Sequence, residues 1–99
     1  MAPPAPGDWQ AFQVGPDSAE VQILGPGGPG VCVAPADGYF LRNRFDADPV
    51  WSVSGPYTCD TTPVFGVTPE FATVHFQIAW ASVTTQISDW SDTKDVSPV

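Results

Sequence analysis

Proline and glycine cut this chain into short apolar runs, and that punctuation constrains the fold more than any other feature. The 12 Pro and nine Gly among 99 residues gather in clusters such as Gly15-Pro16-Asp17, Asp46-Ala47-Asp48-Pro49 and Gly55-Pro56. Proline removes a backbone donor and glycine relaxes the backbone, so each cluster ends the run before it. Between clusters the apolar residues recur at period two. No 3.6-residue apolar period of any length is present, and no substantial helix is expected. Turn signals every 8–12 residues or so are what a sandwich of short antiparallel strands requires.

Taken in order, residues 1–8 carry Pro3, Pro4 and Pro6 and read as an extended arm ahead of a single domain over 9–99. Trp9 to Val14 is a first strand, with Trp9 as an anchor onto the core. Ala19 to Leu24 alternates Val21 and Ile23 against Glu20 and Gln22, as a half-buried strand does. Gly25-Pro26-Gly27-Gly28-Pro29-Gly30 breaks the triplet of a collagen helix and lacks the Lys-Ser/Thr of a phosphate loop, so it reads as a mobile loop. Val31-Cys32-Val33 is expected as a short strand. Tyr39 to Phe45 follows, with Tyr39, Leu41, Asn43 and Phe45 on one face and Phe40, Arg42 and Arg44 on the other. Val50-Trp51-Ser52-Val53 is the next strand, and Gly55-Pro56 is expected to turn the chain into one or two edge strands between Tyr57 and Phe65. Thr73 to Val83 is the strongest strand: Val74, Phe76, Ile78 and Trp80 alternate with His75, Gln77, Ala79 and Ala81. Gln86 to Asp92 links it to a last strand near Thr93 to Val96.

Composition bounds the class. Hydrophobic residues make up 42% of the chain and charged ones 14%, a folding composition. The net charge of −8 sets 11 acids against Arg42, Arg44 and Lys94. A phosphate backbone or an anionic bilayer is repelled by that field, so neither nucleic acid nor membrane is expected as partner. A protein with a basic face suits it. No run approaches the ~20 apolar residues of a membrane helix. The opening Met-Ala-Pro-Pro-Ala-Pro-Gly-Asp has no basic and no apolar signal region, and a complete short gene product is expected. Cys32 and Cys59 lie 27 positions apart, a spacing without zinc-site character, which leaves a disulfide and two buried thiols equally open. If bridged, the loop would contribute on the order of 3 kcal/mol.

The segment from His75 to Pro98 resembles the end of a fibronectin type III domain. Ile78 and Ala81 fall where that family's long strand ends, Trp90-Ser91 matches its "Trp-Ser" step, and Ser97-Pro98 its close. Val67-Thr68-Pro69 resembles the corner that precedes the long strand. The resemblance implies an all-β, immunoglobulin-like (fibronectin type III-like) antiparallel β-sandwich of about seven strands. It implies no catalytic residues, because the family consists of binding and spacer modules.

Nor do the residues suggest an enzyme. His75 is the one histidine, placed in a strand opposite in phase to the core, with no motif around it. Asp46 with Asp48, and Asp89 with Asp92, could be weighed as calcium ligands, but ordinary Asx turns explain them more cheaply. No cofactor and no metal are expected. Trp51, Tyr57 and Trp90 could stack sugars, though core packing is the commoner duty of such rings. The candidate interaction surface is Phe40, Arg42 and Arg44 with Trp51 and Tyr57. The functional expectation is a structural virion subunit (capsid decoration or cement, or tail-associated), resembling in size, fold and acidity the immunoglobulin-like accessory domains of bacteriophages. It would attach to a capsid or tail lattice by its arm, loops and edge strands, as a homo-oligomer or in an array. The alternative is a spacer or carbohydrate-binding module of a secreted bacterial polysaccharide-degrading enzyme.

Overall fold

Alternating burial along the chain sets which side of each strand faces inward. In the computed structural model, which describes residues 3–15, 18–66 and 73–97, eight strands and no helix form among the described residues. They are β1 (Trp9–Gly15), β2 (Ser18–Ile23), β3 (Gly38–Phe45), β4 (Ser52–Tyr57), β5 (Val64–Gly66), β6 (Val74–Ser82), β7 (Thr85–Gln86) and β8 (Lys94–Val96). All pairings are antiparallel. A smaller sheet has the order β1-β2-β5, and a larger one runs β4-β3-β6-β7 with β8 also on β6. Among the described residues, no helix is long and apolar enough to cross a membrane. The turn at Pro16-Asp17, the Val67-Thr68-Pro69 corner and Pro98 lie outside the described residues.

Both sheets contribute to one core. Ala19, Val21 and Ile23 of β2 meet Tyr39 and Leu41 of β3 and Val74, Phe76, Ile78 and Trp80 of β6, with Trp9 closing one side. Phe65 of β5 reaches across to Phe76, ring centres 5.7 Å apart. The arrangement is β-sandwich-like, and Trp9 is the core anchor that its position suggested, 3% exposed. Tyr39 is fully buried, and its hydroxyl donates to the Thr61 carbonyl at 2.8 Å. Burial first, and the neighbouring Tyr57 second, push its pKa well above the ordinary 10.

Cys32 and Cys59 are joined, tying the loop before β3 to the loop after β4. That bridge replaces the strand expected at Val31-Cys32-Val33: no sheet pairing forms there, and Ala36 N–H donates back to the Val33 carbonyl as a turn. Gly55-Pro56 does not turn the chain either. It lies inside β4, where the register with β3 slips between Tyr39 and Leu41. Gly55 has φ +109, and a Cβ there would sit 3.1 Å from the Tyr39 carbonyl oxygen, so the bulge admits only glycine comfortably. Ala79 and Ala81, expected on the open face, are fully buried. Phe40 lies beside Ala79 on β3, and the segment after β7 runs along the other side of β6. Two alternating alanines are too short to reach solvent between such neighbours. The hairpin that creates β7 was not expected; its two-residue turn holds Val83 at φ +57, with the Val83 N–H on Asp37 Oδ1 at 2.8 Å.

Residues 3–8 form no strand. Pro6 is buried, and the Asp8 carbonyl accepts from Leu24 N–H and Gly25 N–H at 2.9 and 3.1 Å. This stretch therefore lies against the body of the domain, beside Pro26, Val33 and Trp80.

Candidate functional site

The outer face of the larger sheet gathers two of the chain's three basic residues. Arg42 and Arg44 stand two positions apart on β3, so strand alternation sends both away from Tyr39 and Leu41. Trp51 leads into β4 on one flank, and Trp90 comes from the segment after β7 on the other. Arg42 joins them, its Cζ lying 4.7 Å from the Trp51 ring centre and 4.4 Å from that of Trp90. Arg44 Cζ extends the series at 5.1 Å from Trp51. Across the sheet, Arg42 Nε donates to Gln77 Oε1 at 2.8 Å and its Nη2 donates to the same oxygen. Gln77 Nε2 then donates to Thr93 Oγ1 at 2.8 Å. Desolvation by burial lowers the Arg42 pKa from its ordinary value. With cation–π contacts worth ~0.5–2 kcal/mol each and charged hydrogen bonds somewhat more, this network contributes about 2–3 kcal/mol.

The segment that carries Trp90 is held by its serines. Ser88 Oγ accepts the Trp80 N–H at 2.8 Å and Ser91 Oγ accepts the Ile78 N–H at 3.0 Å. Each hydroxyl then donates onward, to the Asp89 and Asp92 carbonyls at 2.9 and 3.0 Å. Ile87 N–H and Ser91 N–H donate to the Trp80 and Ile78 carbonyls. Three residues of this segment thus span two of β6, and the side-chain oxygens replace ladder acceptors that a regular strand would supply. Ser88 and Ser91 are 6% and 4% exposed, so leaving those N–H groups unpaired would be costly.

Two positions from Gln77, His75 is clasped rather than free. Its Nδ1 lies 2.6 Å from Asp95 Oδ1 on β8, and its Nε2 lies 2.9 Å from Asp46 Oδ1 in the turn after β3. The ring is 14% exposed and the two carboxylates 57% and 53%. The hydrogen bond with Asp46 does most to raise its pKa above 6.5; Asp95 adds to this, while burial and Arg44 oppose it. When protonated, the ring can donate one N–H to each carboxylate, so the clasp favours the charged form.

Of the expected surface residues, Trp51, Arg42 and Arg44 come together, and Phe40 follows on the same face beside Ala79. Tyr57 does not join them. It lies at the far end of β4, beyond the Gly55-Pro56 bulge, with its ring 5.7 Å from that of Tyr39 and its hydroxyl on Ser54 Oγ. There it helps to line an open depression of about 300 Å³ with Asp37, Thr58 and Val83. Arg42 lies over one face of both Trp51 and Trp90. The acidic pairs serve as local braces: Asp48 Oδ1 accepts the Val50 N–H at 2.9 Å, and Asp46 goes to His75. Among the described residues no group of three or more His, Cys, Asp or Glu side chains is arranged to hold a metal ion.

Sequence reasoning missed Gln77, Thr93, Ser88 and the His75 clasp. One signal was present: Ser-Asp recurs at Ser88-Asp89 and Ser91-Asp92, a three-residue step unlike the period of two elsewhere. No protein-family model matches the chain, and no curated protein matches it in sequence.

Proposed function

We propose that this chain is a non-enzymatic interaction module, an immunoglobulin-like and specifically fibronectin type III-like sandwich that docks a protein partner along β4. The strand order supports the family reading, with three strands (β1-β2-β5) facing β4-β3-β6, β7 and β8 both pairing with β6, and a Trp-Ser segment strapped to the long strand. One observation carries the docking reading. Val53, 59% exposed, lies on β4, the outermost strand of the larger sheet, and Val50, 64% exposed, precedes Trp51 in the segment that leads into it. Arg42 and Arg44 stand behind them. Tryptophan and arginine are enriched and lysine and glutamate depleted at interface centres, and the exposed valines add apolar area beside them. A guanidinium already stacked on an indole loses little freedom on binding.

The setting we propose for such a module is a capsid or tail lattice of a virion, where many weak copies add up. The test is electron microscopy of purified particles together with a Val53→Asp variant. Density for this domain lying on the lattice through β4, lost in the variant, is the expected result. Particles that lack the chain, or that hold it by another face, would overturn the reading. The glycan-binding alternative draws no comparable support, since Tyr57 stands apart from Trp51 and Trp90.

A further inference from the structure

Among the described residues the edge strands differ in how they are protected, and β7 is only two residues long. β4 carries the Gly55-Pro56 bulge, β5 has three residues after Pro63, and β8 has three residues with Lys94 and Asp95 among them. Bulges, prolines, charges and shortness are the usual means of blocking strand addition. β1 is different: seven residues, Trp-Gln-Ala-Phe-Gln-Val-Gly, without a charge or a proline. Among the described residues β2 is its one strand partner. Its Trp9 end is covered by Lys94, whose Nζ lies 5.3 Å from the indole centre, and the register with β2 slips between Gln13 and Gly15 at the other end. Gln10 to Gln13 is the regular stretch that no described strand pairs on its outer side, though β8 packs close by.

The face that β1 belongs to is also nearly neutral. The register sets Phe12 beside Glu20 and Glu20 beside Val64, one row across three strands, and Gln10 Nε2 donates to Gln22 Oε1 in the next row. Val64 is 59% exposed. Glu20 is the one charge among these residues, on a chain that carries −8 overall.

We propose that β1 pairs with β1 of a second copy, antiparallel across a twofold axis through Phe12. The second copy is favoured because the strand is complementary to itself. A register centred on Phe12 sets Phe12 against Phe12, Ala11 against Gln13 and Gln10 against Val14, with no like charges opposed. Directly opposed aromatic rings on one face attract. The two Glu20 side chains would stand three strand spacings apart, about 14 Å, beyond the ~8 Å screening length at physiological salt. Elsewhere two copies at −8 repel; this neutral edge is where they can approach. The closed twofold joins the smaller sheets into one of six strands and leaves both β4 edges free. The inference is independent of what docks at β4.

Sedimentation equilibrium of the full chain checks it, with salt varied. A dimer that tightens as salt rises is expected, and Phe12→Lys, which opposes two cations on the axis, should weaken it at least tenfold. Because both native cysteines are bridged, an added cysteine is the single free thiol. Phe12→Cys should therefore oxidise to a covalent dimer while Gln22→Cys, one strand further out on each side, does not. A monomer at millimolar concentration overturns the proposal, as does cross-linking through Gln22→Cys but not Phe12→Cys. Protection of the β1 amides only on adding some other strand peptide would assign the edge to a different occupant and overturn it too.

Discussion

The two outer faces of this domain solve opposite problems. On the larger sheet, Arg42, Gln77, Thr93, Trp51, Trp90 and the His75 clasp satisfy one another, and the face is stitched from the β3–β4 turn to β8. On the smaller sheet the same position in the layer holds Gln10, Phe12, Glu20 and Val64, with a hydrogen bond from Gln10 to Gln22 between neighbouring strands. The difference follows from strand supply. β6 is flanked on its far side by β7, β8 and an irregular segment between them, which need side chains to hold them. The smaller sheet has three ladder-paired strands and needs none. Polar side chains on the larger face are therefore structural first, which leaves contact there to the exposed valines at its β4 edge.

The largest effect that separates the faces is expected at Arg42. Arg42→Ala removes two ring contacts and two hydrogen bonds, and should cost about 2–3 kcal/mol, a fall in Tm of roughly 10–20 °C for a domain of this size. Val64→Thr, on the other face and 59% exposed, should stay within about 0.5 kcal/mol. Equal losses in calorimetry would erase the contrast. Arg42→Lys should recover only a minor part of the loss, because an ammonium neither stacks flat between two indoles nor forks onto Gln77.

Next comes Ser91→Ala. It leaves the buried Ile78 N–H without its acceptor and should cost about 1–3 kcal/mol. Amide exchange locates the loss: the Ile78 amide should exchange much faster while Leu41, opposite on β3, changes less. A uniform change would mean that the serine acts on global stability alone. Arg44→Ala is expected to be smaller, about 0.5–1 kcal/mol, since it removes one ring contact at 5.1 Å and a 3.4 Å hydrogen bond to the Asp48 carbonyl.

Much of the fold was legible because burial of alternate residues is a local rule. Val21 with Ile23, Tyr39 with Leu41, and Val74 to Trp80 all point inward as their pattern requires. The misreadings come from long-range facts. Val31-Cys32-Val33 has strand composition, but a bridge to Cys59 holds it as a loop. Gly55-Pro56 has turn composition, yet its partner strand β3 accepts it as a bulge. The site was legible in part. Two arginines of like phase were visible, and Trp51 was near in sequence; that Trp90 meets Arg42, 48 positions away, depends on the serine-held segment. Tyr57, expected on the same surface as Trp51, packs against Tyr39 beyond the β4 bulge, which no local pattern reveals.

The smallest effect expected is that of pH. His75 has a folded pKa raised above its unfolded 6.5, so its contribution is full below about pH 6.5 and is lost as pH rises through the folded value. Neutral imidazole can donate to Asp46 or to Asp95 but not to both, and the other carboxylate is left facing a lone pair. Since both acids are more than half exposed, solvent screens the pair of contacts and the whole change should be under about 1 kcal/mol. Denaturation across this range should therefore show the wild type weakening slightly as pH rises, with the amides of β8 and of the turn after β3 loosening first. His75→Gln should lose the slope and sit near the alkaline wild type throughout. A slope that survives in His75→Gln would place its origin in another group, and the clasp would then count as geometry without linkage. The smaller sheet, with no titrating pair on its face, should show no local change at all.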